Sequence, residues 1–192
     1  MIRLSQMKDP HPLKTILNKG FKQPPPQLPP LKKWIHIDAQ NQTLRLIQEE
    51  PQAKIILQAK VSTAKNGLGE QSNSFKTPRG WHIIRAKIGD NHPKGAVFSA
   101  RRWTGEIYST ELEQKYPQRD WILTRILWLS GIELGFNRLG EQDFMERYIY
   151  IHGTNEVDKI GAPHSHGCIR MLDDDLIDLF KAIKPVTPIL IE

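Results

Sequence analysis

Two short stretches near the C-terminal end hold side chains suited to nucleophilic chemistry. YIYIHGT (148–154) is followed after ten residues by SHGCIRM (165–171), and Cys168 is the only cysteine of the chain. A thiol attacks as its thiolate, and an ordinary cysteine at neutral pH is only a few per cent ionised, so a base or a positive charge must stand beside it. His152 lies 16 positions upstream of Cys168, a separation across which a loop can fold back and bring imidazole to sulfur. Gly153 would let the chain turn sharply after the base. Gly167 would leave main-chain N–H groups open beside the sulfur as donors to an oxyanion. Arg170 is suited either to orienting a substrate carboxylate or to pinning the loop.

Other readings fit the same residues. A lone cysteine in an ordinary domain is more often a small buried apolar residue than a nucleophile. A histidine at a strand end is usually a solvated loop residue. His152, His164, His166 and Cys168 are also all possible zinc ligands, because alternate residues of an extended strand share a face. Against a metal, the CxxC and HExxH spacings of zinc sites are absent.

These side chains need a scaffold, and the hydrophobic pattern predicts a mostly β one. Trp34 to Asp38 alternates, with Ile35 and Ile37 facing away from Trp34 and His36, and the polar residues 39–42 make a turn. TLRLIQ alternates again, 53–62 is a third strand, and the Thr77-Pro78-Arg79-Gly80 turn launches a fourth from Trp81 to Arg85. Pro78 fixes that turn and Gly80 requires a positive φ there. The segment 89–118 carries no clear period and no element is assigned to it. The run 121–131 reads as a buried strand ending at Gly131, and RYIYIHG as a strand that delivers His152 at its tip. Leu176, Ile177, Leu179, Phe180 and Ile183 form a helical stripe. Asp173 to Asp175 should cap that helix and complement its dipole, Pro185 and Pro188 end it, and TPILIE is a last strand.

The whole chain agrees with one domain. Residues 1–30 read as an N-terminal arm and proline-rich spacer (QPPPQLPP, 23–30), and 31–192 as the folded domain. No apolar run approaches the ~20 residues of a membrane-spanning helix. The start has no secretory pattern, which favours a cytoplasmic protein, with a periplasmic or cell-wall location if an export segment lies outside this sequence. One cysteine excludes an internal disulfide framework. The net charge of +6 favours anionic partners, but the basic residues are scattered without interleaved aromatics, so nucleic acid ranks low. Oligomeric state is not legible.

The ordered motif resembles the signature of the L,D-transpeptidase (YkuD-type) catalytic domain family: a histidine, a spacer of this length, then Ser-His-Gly-Cys-aliphatic-Arg. Ser165, His166, Gly167, Cys168, Ile169 and Arg170 match it in order. VSTAKNG (61–67), TPRG (77–80), TRILWLSGIELGFN and the closing helix and strand extend the resemblance over about 32–191. The Trp81-His82 pair departs from it, where a smaller spacer and an aromatic are usual. The resemblance implies a fold of sandwich-like or barrel-like β-sheets with one or two flanking α-helices. It implies a peptidoglycan enzyme with Cys168 as nucleophile, His152 as general base, and the Gly153 carbonyl holding the imidazole tautomer. His166 would shape the pocket and hydrogen-bond near the sulfur. His164 falls outside the shared positions and reads as loop. Tyr150, Trp81 and Trp103 are candidates for the cleft wall, with packing the commoner role for each. The implied reaction cleaves the diaminopimelate–D-alanine bond of a stem tetrapeptide through a thioester, with no cofactor. An amine acceptor then gives a cross-link. Water gives L,D-carboxypeptidase trimming, the activity suited to murein recycling in the cytoplasm. Carbapenems would be the acylating inhibitors. A zinc hydrolase and a non-catalytic wall-binding domain are the remaining alternatives.

Overall fold

The computed structural model describes residues 28, 31–49, 51–139 and 147–192. The expected arm and proline-rich spacer lie outside the described residues, apart from Leu28. The described chain is mostly β, with ten strands and two α-helices. The strands are β1 Lys33–Asp38, β2 Thr43–Gln48, β3 Lys54–Ser62, β4 Gly80–Ile88, β5 Ala96–Ser99, β6 Arg102–Ile107, β7 Ile122–Gly131, β8 Tyr150–Gly153, β9 Ile169–Met171 and β10 Pro188–Ile191. The helices are α1 Thr110–Lys115 and α2 Asp173–Ala182.

The strands run in the order β4-β10-β1-β2-β3-β9-β8-β7-β5-β6, and β4 also pairs with β7. That extra pairing closes eight strands into a ring, from which the β5–β6 hairpin extends along β7. Closure removes open sheet edges, which would otherwise present unpaired backbone groups. The alternation seen in the sequence sorts the side chains. Ile35, Ile37, Leu44 and Leu46 join the main core with Ile84, Leu127, Leu129, Ile151 and Ile169. Trp34, Ile47, Trp81 and Leu190 face the other way and form a second cluster with Leu28 and Leu31. The apolar stripe of α2, Leu176, Leu179 and Phe180, is buried in the main core.

Three expectations change. The segment 89–118 contains β5, β6 and α1. The hairpin turn at Ala100 and Arg101 has φ of 44° and 66°. Such turns usually carry Asn-Gly, so its sequence gave no signal. The strand read as RYIYIHG begins only at Tyr150, because Tyr148 adopts a left-handed φ of 52° and breaks the extension. The aspartates 173–175 fill the first turn of α2, but the N-cap is Leu172 and makes no side-chain cap bond. Leu172 follows β9 directly, which leaves no room for a separate capping residue.

Candidate active site

The nucleophile loop is placed by two short strands. β8 and β9 run parallel, with His152 opposite Arg170 and Ile151 opposite Ile169. β9 also pairs with β3, Ser62 opposite Arg170. Continuing the register sets Tyr150 beside Cys168, and the Tyr150 N–H donates to Cys168 Sγ at 3.4 Å. Tyr150 and His152 share one face of β8. They stand about 7 Å apart along the strand.

The three motif stretches are hydrogen-bonded to each other. Thr77, fully buried, accepts the Ala64 N–H through Oγ1 at 2.9 Å and donates to the Gly167 carbonyl at 2.9 Å. Ser165 Oγ donates to the Cys168 carbonyl at 2.5 Å and accepts the Gly167 N–H at 3.2 Å. Gly167 has a φ of +133°, and a Cβ there would lie 2.9 Å from Ile149 Cδ1. Glycine is therefore required for its backbone conformation and for space. Its N–H is occupied by Ser165, so the main-chain donor left beside the sulfur is that of Cys168.

His152 is buried at 1% exposure, and its Nδ1 lies 2.7 Å from the Gly153 carbonyl oxygen. A carbonyl only accepts, so Nδ1 carries the proton and Nε2 keeps its lone pair. Burial pushes the His152 pKa below the ordinary histidine value, while Asp120 and the Gly153 carbonyl oppose that shift. Burial likewise pushes the Cys168 thiol up to about 12, against the Tyr150 N–H bond, Arg170 and Arg147, which pull it down. Cys168 itself is partly exposed. The pair is therefore neutral at rest. No hydrogen bond joins His152 to Cys168 here; the thiol donates to the Tyr148 carbonyl at 3.7 Å. Such hydrogen bonds are often long in unliganded sites and tighten once substrate is bound.

Gly153 is not a turn. It is extended within β8, opposite Leu123 and Met171. A Cβ at this position would meet Asp173 Oδ1 at 2.1 Å and the Leu123 carbonyl at 2.9 Å. Its absent side chain admits the Asp173 carboxyl and the facing strand. That facing strand is bulged: Leu123 pairs with Gly153 and Ile126 with His152, leaving two residues between them on β7 and none on β8. Thr124 sits in the bulge, fully buried, with φ +69°. A β-branched residue in this region is strained by about 1–3 kcal/mol, and bulges of this kind re-aim side chains beside active sites.

The remaining candidates fall at different distances from the sulfur. Arg170 is buried, ion-paired to Glu156 and 3.6 Å from Asp120. It ties down the loop that follows His152. His166 is exposed and makes no hydrogen bond to the sulfur; its ring stands edge-on to Phe75 at 6.4 Å. His164 turns toward Glu156, 3.4 Å away. Trp81 is core, Trp103 lies out on the β5–β6 hairpin, and Tyr150 alone of the three aromatics reaches the sulfur. Among the described residues no group of three His, Cys, Asp or Glu side chains could hold a metal ion.

Sequence reasoning missed Asp120, Glu156 and Arg147, which carry no motif of their own. Arg147 donates to the carbonyls of Gly69, Glu70 and Lys76 and so anchors the 69–76 loop beside the site. Two cavities meet at His166. One, about 430 Å³, extends between Asn73, Phe75, Arg147 and Tyr148. Asn73, Phe75 and Tyr148 all have left-handed φ angles. The other, about 270 Å³, is bordered by Glu113, Asp120, Glu156 and Arg170.

Comparison with known proteins identifies the family and the fold. The sequence profile of the L,D-transpeptidase catalytic domain (YkuD) matches residues 32–191. YqjB of Bacillus subtilis (strain 168), named as a candidate L,D-transpeptidase, is 40% identical over 58 residues, 30% of this chain and 31% of that protein. Bd1075 of Bdellovibrio bacteriovorus shares the fold at TM-score 0.51 and 16% identity, over 84% of this chain and 47% of its own. The L,D-transpeptidase LdtMt1, in complex with imipenem, does so at TM-score 0.50 and 16% identity, over 84% and 59%. The chain thus spans between about a third and three fifths of the length of these relatives.

Proposed function

Because the chain belongs to the L,D-transpeptidase catalytic domain family, we propose that it is a cysteine acyltransferase acting on the diaminopimelate–D-alanine bond of peptidoglycan stem tetrapeptides. The observation that carries this reading is the His152 tautomer. With Nδ1 held by the Gly153 carbonyl, Nε2 is left as a base on the strand whose Tyr150 N–H binds the sulfur, and burial favours its neutral form.

In the first half-reaction His152 Nε2 takes the Cys168 proton as the sulfur attacks the diaminopimelate carbonyl carbon. The C–S bond forms and the carbonyl electron pair moves to oxygen, next to the Cys168 N–H. The intermediate collapses with loss of the C–N bond. His152 returns the proton to the departing D-alanine nitrogen, and a thioester remains. In the second half-reaction an acceptor attacks the thioester, His152 removes its proton, and the thiolate leaves.

An amine acceptor gives a cross-link and water gives a trimmed stem. The cavity beside Glu156 is lined by both carboxylates and the guanidinium groups of Arg119 and Arg170, so its charge does not choose between the two acceptors. Intact-mass measurement tests the reading. Tetrapeptide should leave an adduct on Cys168 lacking D-alanine, and a carbapenem should acylate the same residue. Added diaminopimelyl amine should divert product from trimmed stem to cross-linked dimer. No adduct from either reagent would refute the proposal, and trimmed stem alone at saturating amine would assign water as the acceptor.

A further inference from the structure

Among the described residues, one cation in the cluster around Tyr150 has no anion. Arg170 is committed to Glu156 and Asp120, and Arg147 to three main-chain carbonyls. Arg101, at the tip of the β5–β6 hairpin, is held differently. Its guanidinium carbon lies 4.8 Å from the Trp128 ring centroid and 4.7 Å from that of Tyr148. Nη1 donates to the Tyr150 hydroxyl at 3.0 Å. A guanidinium has five N–H donors in a planar fork, so most of this one is unspent. Its polar neighbours are tyrosines, with no carboxylate among them in the described residues. The Trp128 Nε1–H in the same cluster also has no acceptor among the described residues.

The cluster adjoins the reacting atom. Tyr150, whose hydroxyl Arg101 holds, donates its N–H to Cys168 Sγ. Trp128 and Cys168 both pack on the apolar group containing Tyr150. The hairpin tip reaches this position only through two left-handed residues, Ala100 and Arg101, a conformation that costs free energy in non-glycine residues. Aromatic rings fix the fork in advance, which makes it a bidentate receptor for a carboxylate.

We propose that Arg101 is a specificity residue that binds a carboxylate of the donor stem while Cys168 attacks. This rests on the acyl-transfer reading above. Two carboxylates of the donor offer the same chemistry, that of the terminal D-alanine and that of the diaminopimelate side chain.

The test follows acylation of full-length protein by intact mass, using tetrapeptide donors with both acids free, with the terminal acid amidated, or with the side-chain acid amidated. Wild type should lose about 10- to 100-fold in acylation rate with one of the two amides, the size of a charge-assisted hydrogen bond to carboxylate. R101M should lose a similar factor with the free-acid donor and nothing further with that amide. R101K should fall between. Labelling of Cys168 by neutral iodoacetamide should be the same in R101M and wild type, which shows that the nucleophile is undisturbed. Equal rates for all donors in wild type, or an unchanged free-acid preference in R101M, would overturn the assignment while leaving the acyl-transfer reading intact. If wild type forms no adduct at all, that reading falls and this proposal with it.

Discussion

The hydroxyl of Thr77 is the sharpest place to test how the nucleophile is held. It bridges the Ala64 N–H and the Gly167 carbonyl, each at 2.9 Å, with no solvent access. Thr77→Val keeps the shape and removes both bonds. Two buried main-chain groups then lose their partner, and an unsatisfied buried group costs about 1–3 kcal/mol. The sum is about 2–6 kcal/mol. For a domain of this size each kcal/mol lowers Tm by about 2–4 °C, so T77V should melt about 4–24 °C below wild type. T77S keeps the hydroxyl, loses one methyl, and should cost about 1 kcal/mol. Because Gly167 precedes the nucleophile, T77V measured well below its Tm should also acylate more slowly than T77S. Thermal and denaturant melts, with intact-mass acylation rates, check both parts. A T77V protein melting within 2 °C of wild type and reacting at its rate would refute the view that this hydroxyl carries the loop.

Further outcomes follow from the same site. Alkylation of Cys168 by iodoacetamide at pH 7 should run at least about a hundredfold slower than that of free cysteine and climb as pH rises, because burial holds the thiol near 12; labelling at the free-cysteine rate would contradict this. Gly153→Ala should lower acylation by about a hundredfold, since its Cβ would press on the Leu123 carbonyl and the Asp173 carboxyl and shift the carbonyl that holds His152; a near-normal rate would mean that the site tolerates the shift. Burial holds His152 below the ordinary histidine value and His82 at about 3. The unfolded chain takes protons below pH 6.5 that these folded sites refuse, so stability should fall as pH drops, by up to about 1.4 kcal/mol per unit from His82, with a further loss of the same sign from His152. Urea melts at pH 6.5 and 5 measure this, and equal midpoints would refute it. Glu156→Gln removes the main partner of buried Arg170 and should cost about 1–3 kcal/mol with a slower reaction; an unchanged melt would show that Asp120 suffices.

Much of the scaffold was readable because two faces of the sheet are buried. The alternation of Ile35 and Ile37 with Trp34 sorts into two cores, and the stripe on α2 marks its buried side. What escaped notice has local physical reasons. The β5–β6 turn uses Ala100 and Arg101 where glycine or asparagine would announce it. β9 is three residues long, and its strand character comes from pairing with β3 and β8 rather than from a period. At the site, the order and spacing of residues around His152 and Cys168 were visible, but the hydrogen-bond accounts were not. Gly167 gives its N–H to Ser165, and Gly153 serves a close approach instead of a bend. Asp120, Glu156 and Arg147 come near the sulfur only once distant loops have folded, and nothing in their immediate neighbours signals it.

The strand β10 lies between β1 and β4, parallel to the first and antiparallel to the second. It is the staple of the ring, and translation delivers it after the other nine described strands. Until residues 188–191 emerge from the ribosome, β1 and β4 each present a bare edge, and the nascent chain has its nucleophile motif but no closed cylinder to hold it. A stop codon shortly before Pro188 would therefore yield a sticky, edge-exposed product rather than a slightly weaker enzyme.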